Sequence, residues 1–191
     1  MGVFIMKFVT LVEDTTKCEL GAEHGLSIYA ETEKHKLLFD VGTTDLFIKN
    51  AKALGIDLSQ VDTVVISHGH NDHGGGLDAF LAINDHAVIY LQEKAFNDHY
   101  TAKKTGPEYI GLNQNLKHHP QVKLLDGSYV IDDELQIYSH VVGEIYETNK
   151  NLLKEDKTRD DFVHEQHLLI QGNKNVLLMG CGHKGVLNII G

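Results

Sequence analysis

The sequence predicts a mixed α/β (α+β) fold in a single domain over residues 1–191. Three observations carry that expectation. A strand–helix–strand succession between Lys36 and Ser67 implies a crossover packed on one face of a sheet. Three short β-like runs between Val122 and His140, separated by DG and DDE turns, suit a second, antiparallel sheet. With 191 residues, 42% hydrophobic and 23% charged, the chain has the size and composition of one soluble globular unit able to bury a core.

In chain order, residues 6–12 (MKFVTLV) alternate as a strand, and 13–19 (EDTTKCE) are polar enough for a loop. Leu26, Ile28 and Ala30 share a face, so a second strand begins after Gly25, with Glu23 and His24 just ahead of it. Residues 36–42 (KLLFDVG) read as a third strand ending in Asp40. Residues 45–54 read as a helix with Leu46, Phe47, Ala51 and Leu54 toward the core and Gly55 as its stop. Residues 61–67 (VDTVVIS) are β-branched and too few for a helix of that hydrophobicity, which makes them a buried strand. A short helix over 77–83 points its N-terminus back at the strand exit, and 87–91 return as a strand. Residues 92–120 have no clean period, and a loop of that length in a compact domain is usually functional or mobile. The run 122–125 joins 128–131 and 135–140 in the antiparallel sheet. Residues 149–161 read as an exposed polar loop suited to a lid, 167–170 and 176–179 as a hairpin through GNKN, and 185–190 as the start of a helix.

The buried strand runs out into His68, Gly69, His70, Asn71, Asp72 and His73, followed by Gly74, Gly75 and Gly76. On an extended backbone residues two apart point the same way, so His68 and His70 project to one side and Asp72 follows in phase. His73 joins them if the chain turns, and three glycines permit a turn through conformations closed to residues with a Cβ. Four ligand-capable side chains in six residues point to a metal; a polar loop that happens to hold three histidines is the weaker reading. Neutral imidazole suits zinc, iron or nickel, while a carboxylate adds charge and reaches a second ion. The expected cofactor is one or two divalent ions, zinc first, with iron or manganese as alternatives.

Bulk properties narrow the partners. A net charge of −10 argues against a nucleic-acid backbone. No stretch of about 18 apolar residues exists, so no membrane span is expected. The opening MGVFIM lacks the basic region and cleavage site of a signal peptide, which leaves the cytoplasm as the default location. Two cysteines, Cys18 and Cys181, make no disulfide framework. Cys181 sits in GCGH after the apolar run VLLM, repeating the arrangement of the first motif, although a cysteine is often only a small buried hydrophobe. Lys103, Lys104 and Lys117 are either a solvated surface or contacts for an anionic group of a small-molecule substrate, such as a phosphate.

The pattern HxHxDH, met in full by His68, His70, Asp72 and His73, resembles the hallmark of the metallo-β-lactamase-fold hydrolases. The resemblance implies an αββα sandwich with metals at one edge of two facing sheets. It implies His68 and His70 on one metal, and Asp72 and His73 on the other, with Asp72 also catalytic as the orienter of a water. Asp40 becomes the acceptor that fixes the tautomer of a ligand histidine, its other reading being a turn or helix cap. Over nearly the whole length, LVEDT, AEHGLS, LLFDVG, NAKALGIDL, SHGHNDHGGGL, YIG, DFVHEQ and GCGHKGVLNII are similar to the dihydropterin ribofuranosylaminobenzene-phosphate synthase-like subgroup. That likeness makes Cys181 a ligand or near-ligand and places His183 along the same site, whereas His24, just ahead of the second strand, is either a surface or satisfied histidine or a further residue lining the site. It also calls for a ligand before the last strand, for which His164 fits best and His167 and His140 compete. Such proteins continue through further strands, helices and a final ligand histidine, whereas this sequence stops at Gly191; a short C-terminus, with a neighbouring copy in a homo-oligomer covering an open sheet edge, is the matching expectation.

The function expected is a metal-dependent hydrolase of a small ester or phosphoester acting through a metal-bound hydroxide. The alternatives are a pterin-type synthase, transferring a pterin methyl carbon to an arylamine with loss of pyrophosphate, and a non-catalytic metal- or ligand-binding domain.

Overall fold

A computed structural model describes residues 5–191; residues 1–4, which open the segment read above as no leader peptide, lie outside the description. In chain order the elements are β1 (Lys7–Val12), β2 (Ser27–Glu31), β3 (Lys36–Phe39), α1 (Leu46–Ala53), β4 (Thr63–Val65), α2 (Asn71–Gly74), α3 (Leu77–Leu81), β5 (Val88–Gln92), β6 (Tyr100–Lys103), β7 (Gly106–Tyr109) and β8 (Val122–Leu125). Then follow β9 (Tyr129–Val130), β10 (Leu135–Ser139), β11 (Leu152–Leu153), β12 (Gln166–Ile170), β13 (Val176–Leu178) and α4 (Val186–Ile190). They form a mixed α/β fold with a six-stranded sheet ordered β1-β2-β3-β4-β5-β8, a four-stranded sheet ordered β13-β12-β10-β9 and a small sheet ordered β11-β6-β7.

Alternation along the central strands builds two cores at once. Leu38, Val64, Ile66, Ile89 and Leu91 pack on one side with Phe47 and Ala51 of α1 and Leu77 and Phe80 of α3. Their sequence neighbours Leu37, Phe39, Val65 and Tyr90 pack on the other side with Leu135, Ile137, Leu168 and Ile170 of the four-stranded sheet. Strands buried on both faces read as continuous apolar runs, which is why 36–42 and 61–67 were legible from sequence. β3, β4 and β5 run parallel, so their C-terminal ends share one edge, and Asp40 and the histidine motif emerge there together.

Four expectations about the elements change. Residues 122–125 do not join the antiparallel sheet; they extend the first sheet parallel to β5, with Ile89 opposite Val122 and Gln92 opposite Leu125. The DG pair that suggested a hairpin instead carries the chain from one sheet to the other, and Gln92 holds that crossing by accepting from Gly127 N–H and donating to its carbonyl (both 3.0 Å). Residues 92–120 are not structureless, because β6 and β7 form a hairpin there and β11, from the supposed lid, pairs with it. Leu54 is 45% exposed, and Asn50 takes the inner place on α1 by donating to the carbonyls of Leu11 and Gly21.

At the end of the sheets away from the motif, His35 bonds Asp62 through Nδ1 (2.7 Å) and Asp132 through Nε2 (2.8 Å), clamping the two sheets. The Asp62 bond and, less strongly, the Asp132 bond outweigh burial and raise the imidazole to about 9. A raised pKa contributes stability that is complete below the unfolded-state value near 6.5 and is lost as pH rises through about 9. Between pH 6.5 and 9 the wild type should therefore lose about 1–2 kcal/mol that a His35→Gln variant does not lose, the cluster being partly solvated. Parallel urea titrations of both proteins at the two pH values test this; equal losses would remove the clamp.

Candidate metal centre

The motif backbone is pinned before its side chains converge. Asn71 N–H bonds the Ile110 carbonyl (2.7 Å), Val41 N–H bonds the His73 carbonyl (2.8 Å) and Leu26 N–H bonds the Asp72 carbonyl (3.2 Å). His70 is extended at the start of α2, and this single turn swings His73 back toward His68. The following glycines work differently from expectation. Gly75 and Gly76 have φ of −62° and −75°, open to any residue. What they provide is proximity: a Cβ on Gly75 would lie 2.4 Å from the Asn71 carbonyl oxygen, and one on Gly76 2.4 Å from that of Val41.

His68 Nε2 and His70 Nδ1 face each other at 3.1 Å in a fully buried setting. His183 is the third member of this group, with ligand-capable atoms of all three within 4.8 Å of one another. Asn149 holds the His183 ring by accepting at Oδ1 from Nδ1 (3.1 Å) while its amide donates to the His183 carbonyl (3.0 Å). That bond leaves His183 Nε2 as a lone pair, buried and without a partner among the described residues. Burial, reinforced by the neighbouring imidazoles, pushes His68 and His70 well below the usual histidine range and His183 down to about 4. All three are neutral donors at neutral pH.

Beside that group, His73 and Cys181 form a second group with His68, and Asp72 approaches His73. Asp40, fully buried, accepts from His73 Nδ1 (2.7 Å), from Ser67 N–H (2.6 Å) and from Ser67 Oγ (2.7 Å). Ser67 Oγ in turn faces His68 Nδ1 at 2.9 Å, so one carboxylate orients two motif histidines, one directly and one through a hydroxyl. With its Nδ1 proton held by Asp40, His73 turns Nε2 toward Cys181 Sγ (3.2 Å) and Asp72 Oδ2 (3.4 Å). Ligand-capable atoms of His68, His73 and Cys181 lie within 4.8 Å of one another, and electron-pair donors that face each other at these distances need a cation between them, a proton or a metal. Burial opposes charge on His73, yet Asp40, Asp72 and Cys181 together raise it well above the usual range, and His73 and His70 outweigh burial to bring Asp72 down to about 2. A site that binds a proton this strongly, built from imidazole, carboxylate and thiol, fits a divalent ion.

Other sequence candidates fall into place around these groups. His24, with an exposed side chain, bonds Asp14 (3.0 Å) and approaches Asp72 Oδ2 (3.4 Å). His24, His70, Asp72, Cys181 and His183 line a cleft of about 420 Å³ together with Thr101, Lys103, Glu108 and Leu152 of the small sheet and Ile110 just after β7. Lys103 is paired with Glu108 at 3.4 Å, whereas Lys104 is exposed and does not line the cleft. His140 is exposed, and His167 is buried on β12 with neither ring nitrogen bonded and lines none of the cleft. His164 accepts at Nδ1 from Gly69 N–H (2.9 Å) and reaches Asp160 from Nε2 (3.2 Å). In this arrangement one nitrogen of His164 accepts and the other donates, and a ligand-capable atom of its ring also lies within 4.8 Å of those of His70, His99 and Asp160.

Sequence reasoning missed Ser67, Asn149, Asp160, His99 and Glu165. Glu165, buried, accepts from the N–H groups of His183 (2.7 Å) and Lys184 (3.1 Å) and so fixes the loop that presents Cys181 and His183. Only Asp160 had a readable signal, four residues ahead of His164 in RDDFVHEQ.

A family model described as Metallo-beta-lactamase superfamily matches residues 20–163. The protein MJ0448 of Methanocaldococcus jannaschii is 29% identical over 186 residues, covering 94% of this chain and 71% of its own length. A 7,8-dihydropterin-6-methyl-4-(beta-D-ribofuranosyl)-aminobenzene-5'-phosphate synthase of the same organism is 28% identical over 212 residues, covering 97% of this chain and 70% of its own length. Among solved structures, Tm1679, described as a metal-dependent hydrolase of the beta-lactamase superfamily, superposes with a TM-score of 0.82 at 28% identity, over 97% of this chain and 70% of that one. No helix among the described residues is long and apolar enough to cross a membrane.

Proposed function

The chain belongs to the metallo-beta-lactamase superfamily, and from that premise we propose that it is a metal-dependent hydrolase of a small ester or phosphoester. The observation that carries the reading is the pairing of two donor groups on one cleft: the neutral imidazoles His68, His70 and His183, and beside them Asp72, His73 and Cys181. In this reading His68 Nε2, His70 Nδ1 and His183 Nε2 hold one ion, and Asp72, His73 Nε2 and Cys181 Sγ a second. Imidazole, carboxylate and thiolate donors favour zinc. When bound, such ions supply Lewis acidity, polarising a substrate oxygen and making water a nucleophile at neutral pH.

The chain's own residues supply the rest. Asp72 Oδ2 lies 3.4 Å from both His73 Nε2 and His24 Nε2, so it would orient a water at the cleft while contributing to the second ion's site. Asp40 and Ser67 hold the imidazoles in the tautomers that leave Nε2 free. Ile110 and Leu152 give the opposite wall an apolar part, and Lys103, held by Glu108 on the same wall, would meet the anionic end of a small substrate.

Replacing His183 with Ala is expected to remove one equivalent of metal and to lower turnover at least about 100-fold. Elemental analysis of the purified chain, paired with p-nitrophenyl esters and bis(p-nitrophenyl) phosphate, tests the whole reading. Tightly bound metal with no turnover at high enzyme concentration would replace it with a binding module. The likeness to the Methanocaldococcus synthase favours one second reading, carbon transfer from a pterin to an arylamine with pyrophosphate leaving. Lys103 would then meet the leaving group. Unchanged pterin and arylamine after incubation with the metal-loaded protein would dismiss it.

A further inference from the structure

We propose that Asp160, His164 and His99 form a buried relay that sets the spacing of His68 and His70 by holding the peptide between them. The proposal rests on the two-metal reading above and names positioning residues for it.

Gly69 lies between the two facing imidazoles, and its N–H is gripped from a distant part of the chain. His164 Nδ1 accepts it at 2.9 Å, His164 Nε2 donates to Asp160 Oδ2 (3.2 Å), and His99 Nδ1 approaches the same oxygen at 3.1 Å. The other oxygen of Asp160 accepts from Phe162 N–H at 2.8 Å. All three relay side chains are at most 2% exposed. Burial would raise the Asp160 carboxyl, yet the bonds from His164 and His99 outweigh it and hold it well below the carboxylate range.

The same residues could be taken as a cation site, since ligand-capable atoms of His70, His99, Asp160 and His164 lie within 4.8 Å of one another. The hydrogen bonds argue against it. His164 has no lone pair left, because Nδ1 accepts from Gly69 N–H and Nε2 donates to Asp160, whose Oδ2 also faces His99 Nδ1. An ion there would first have to release the Gly69 peptide. That peptide also has little room to move, because a Cβ on Gly69 would sit 2.4 Å from the Ala95 carbonyl oxygen and 2.7 Å from His99 Nε2. Relay and steric wall together leave Gly69 one orientation, and the 3.1 Å separation of His68 Nε2 from His70 Nδ1 follows from it.

The test uses the full chain and zinc alone. Chelator competition should resolve two binding steps in the wild type. In His164→Leu and Asp160→Asn the step assigned to His68 and His70 should weaken about 10–100-fold while the other holds, and His164→Asn, which keeps an acceptor for Gly69 N–H, should recover much of the loss. The near-isosteric Asp160→Asn keeps the test open if the leucine variant fails to fold. With 113Cd in place of zinc, coupling to ring nitrogens should appear for His68, His70 and His183 and be absent for His164. Observed coupling to His164, or a whole equivalent lost that excess zinc cannot restore, would overturn the relay by making His164 a ligand. Equal weakening of both steps, or none, would reduce it to a scaffold. These readouts stand apart from turnover, so failure of the hydrolase reading would show as zinc binding without hydrolysis.

Discussion

Asp72→Asn is expected to lower kcat/KM by about 10²–10⁴ while leaving the fold intact, a range comparable to that for losing a positioned group that handles the reacting water. The change is nearly isosteric, and the backbone bond from Leu26 N–H to the Asp72 carbonyl does not involve the side chain. What it removes is the negative charge that faces His73 Nε2 and His24 Nε2, each at 3.4 Å. An amide presented there offers one weaker acceptor and an N–H where an electron pair is needed. Kinetics at saturating zinc, alongside the thermal unfolding midpoint, separate the chemical role from a folding role. Activity within about threefold of wild type in the metal-replete variant would take Asp72 out of the reaction.

Asp40→Ala should be the most damaging single change to the scaffold of the site, costing roughly 3–5 kcal/mol of stability because it strands buried partners. Ser67 N–H, Ser67 Oγ and His73 Nδ1 all lose their acceptor in a region sealed from water. Asp40 also has φ of 59°, a conformation that aspartate and asparagine tolerate better than other residues with a Cβ. Asp40→Asn therefore separates the two effects. It keeps the backbone and the volume, so the loss of stability should be smaller, but its amide cannot accept from all three donors, and metal affinity should still fall about 10–100-fold. Denaturant midpoints and zinc competition on both variants check this. An asparagine variant with wild-type zinc affinity would show that the charge on Asp40 is not what orients His73.

The site was legible in proportion to how local its signals are. HGHNDH announced itself because four ligand-capable residues fall within six positions at a strand exit, and Asp40 because it closes a strand in the way the family resemblance implies. Lys104 and His164 were singled out on residue type and sequence position. Neither shows whether a side chain reaches the cleft or what its nitrogens are already bonded to. The polar run 149–161 looked like solvated loop for the same reason. Its Asn149 clamps His183, its Leu152 walls the cleft, and its Asp160 anchors the relay.

By itself the sequence determined the mixed α/β character, the doubly buried central strands and the cluster of donors at their shared edge. Hydrophobic period and short-range spacing act within a few residues of chain, and they leave their mark in the order of letters. Which donors keep an electron pair for a cation was decided only by tertiary structure. His183 keeps Nε2 because Asn149, 34 positions away, takes its other nitrogen, and His164 loses both through Gly69, 95 positions away, and Asp160. The availability of a lone pair depends on partners brought together by folding, and spacing along the chain does not encode it.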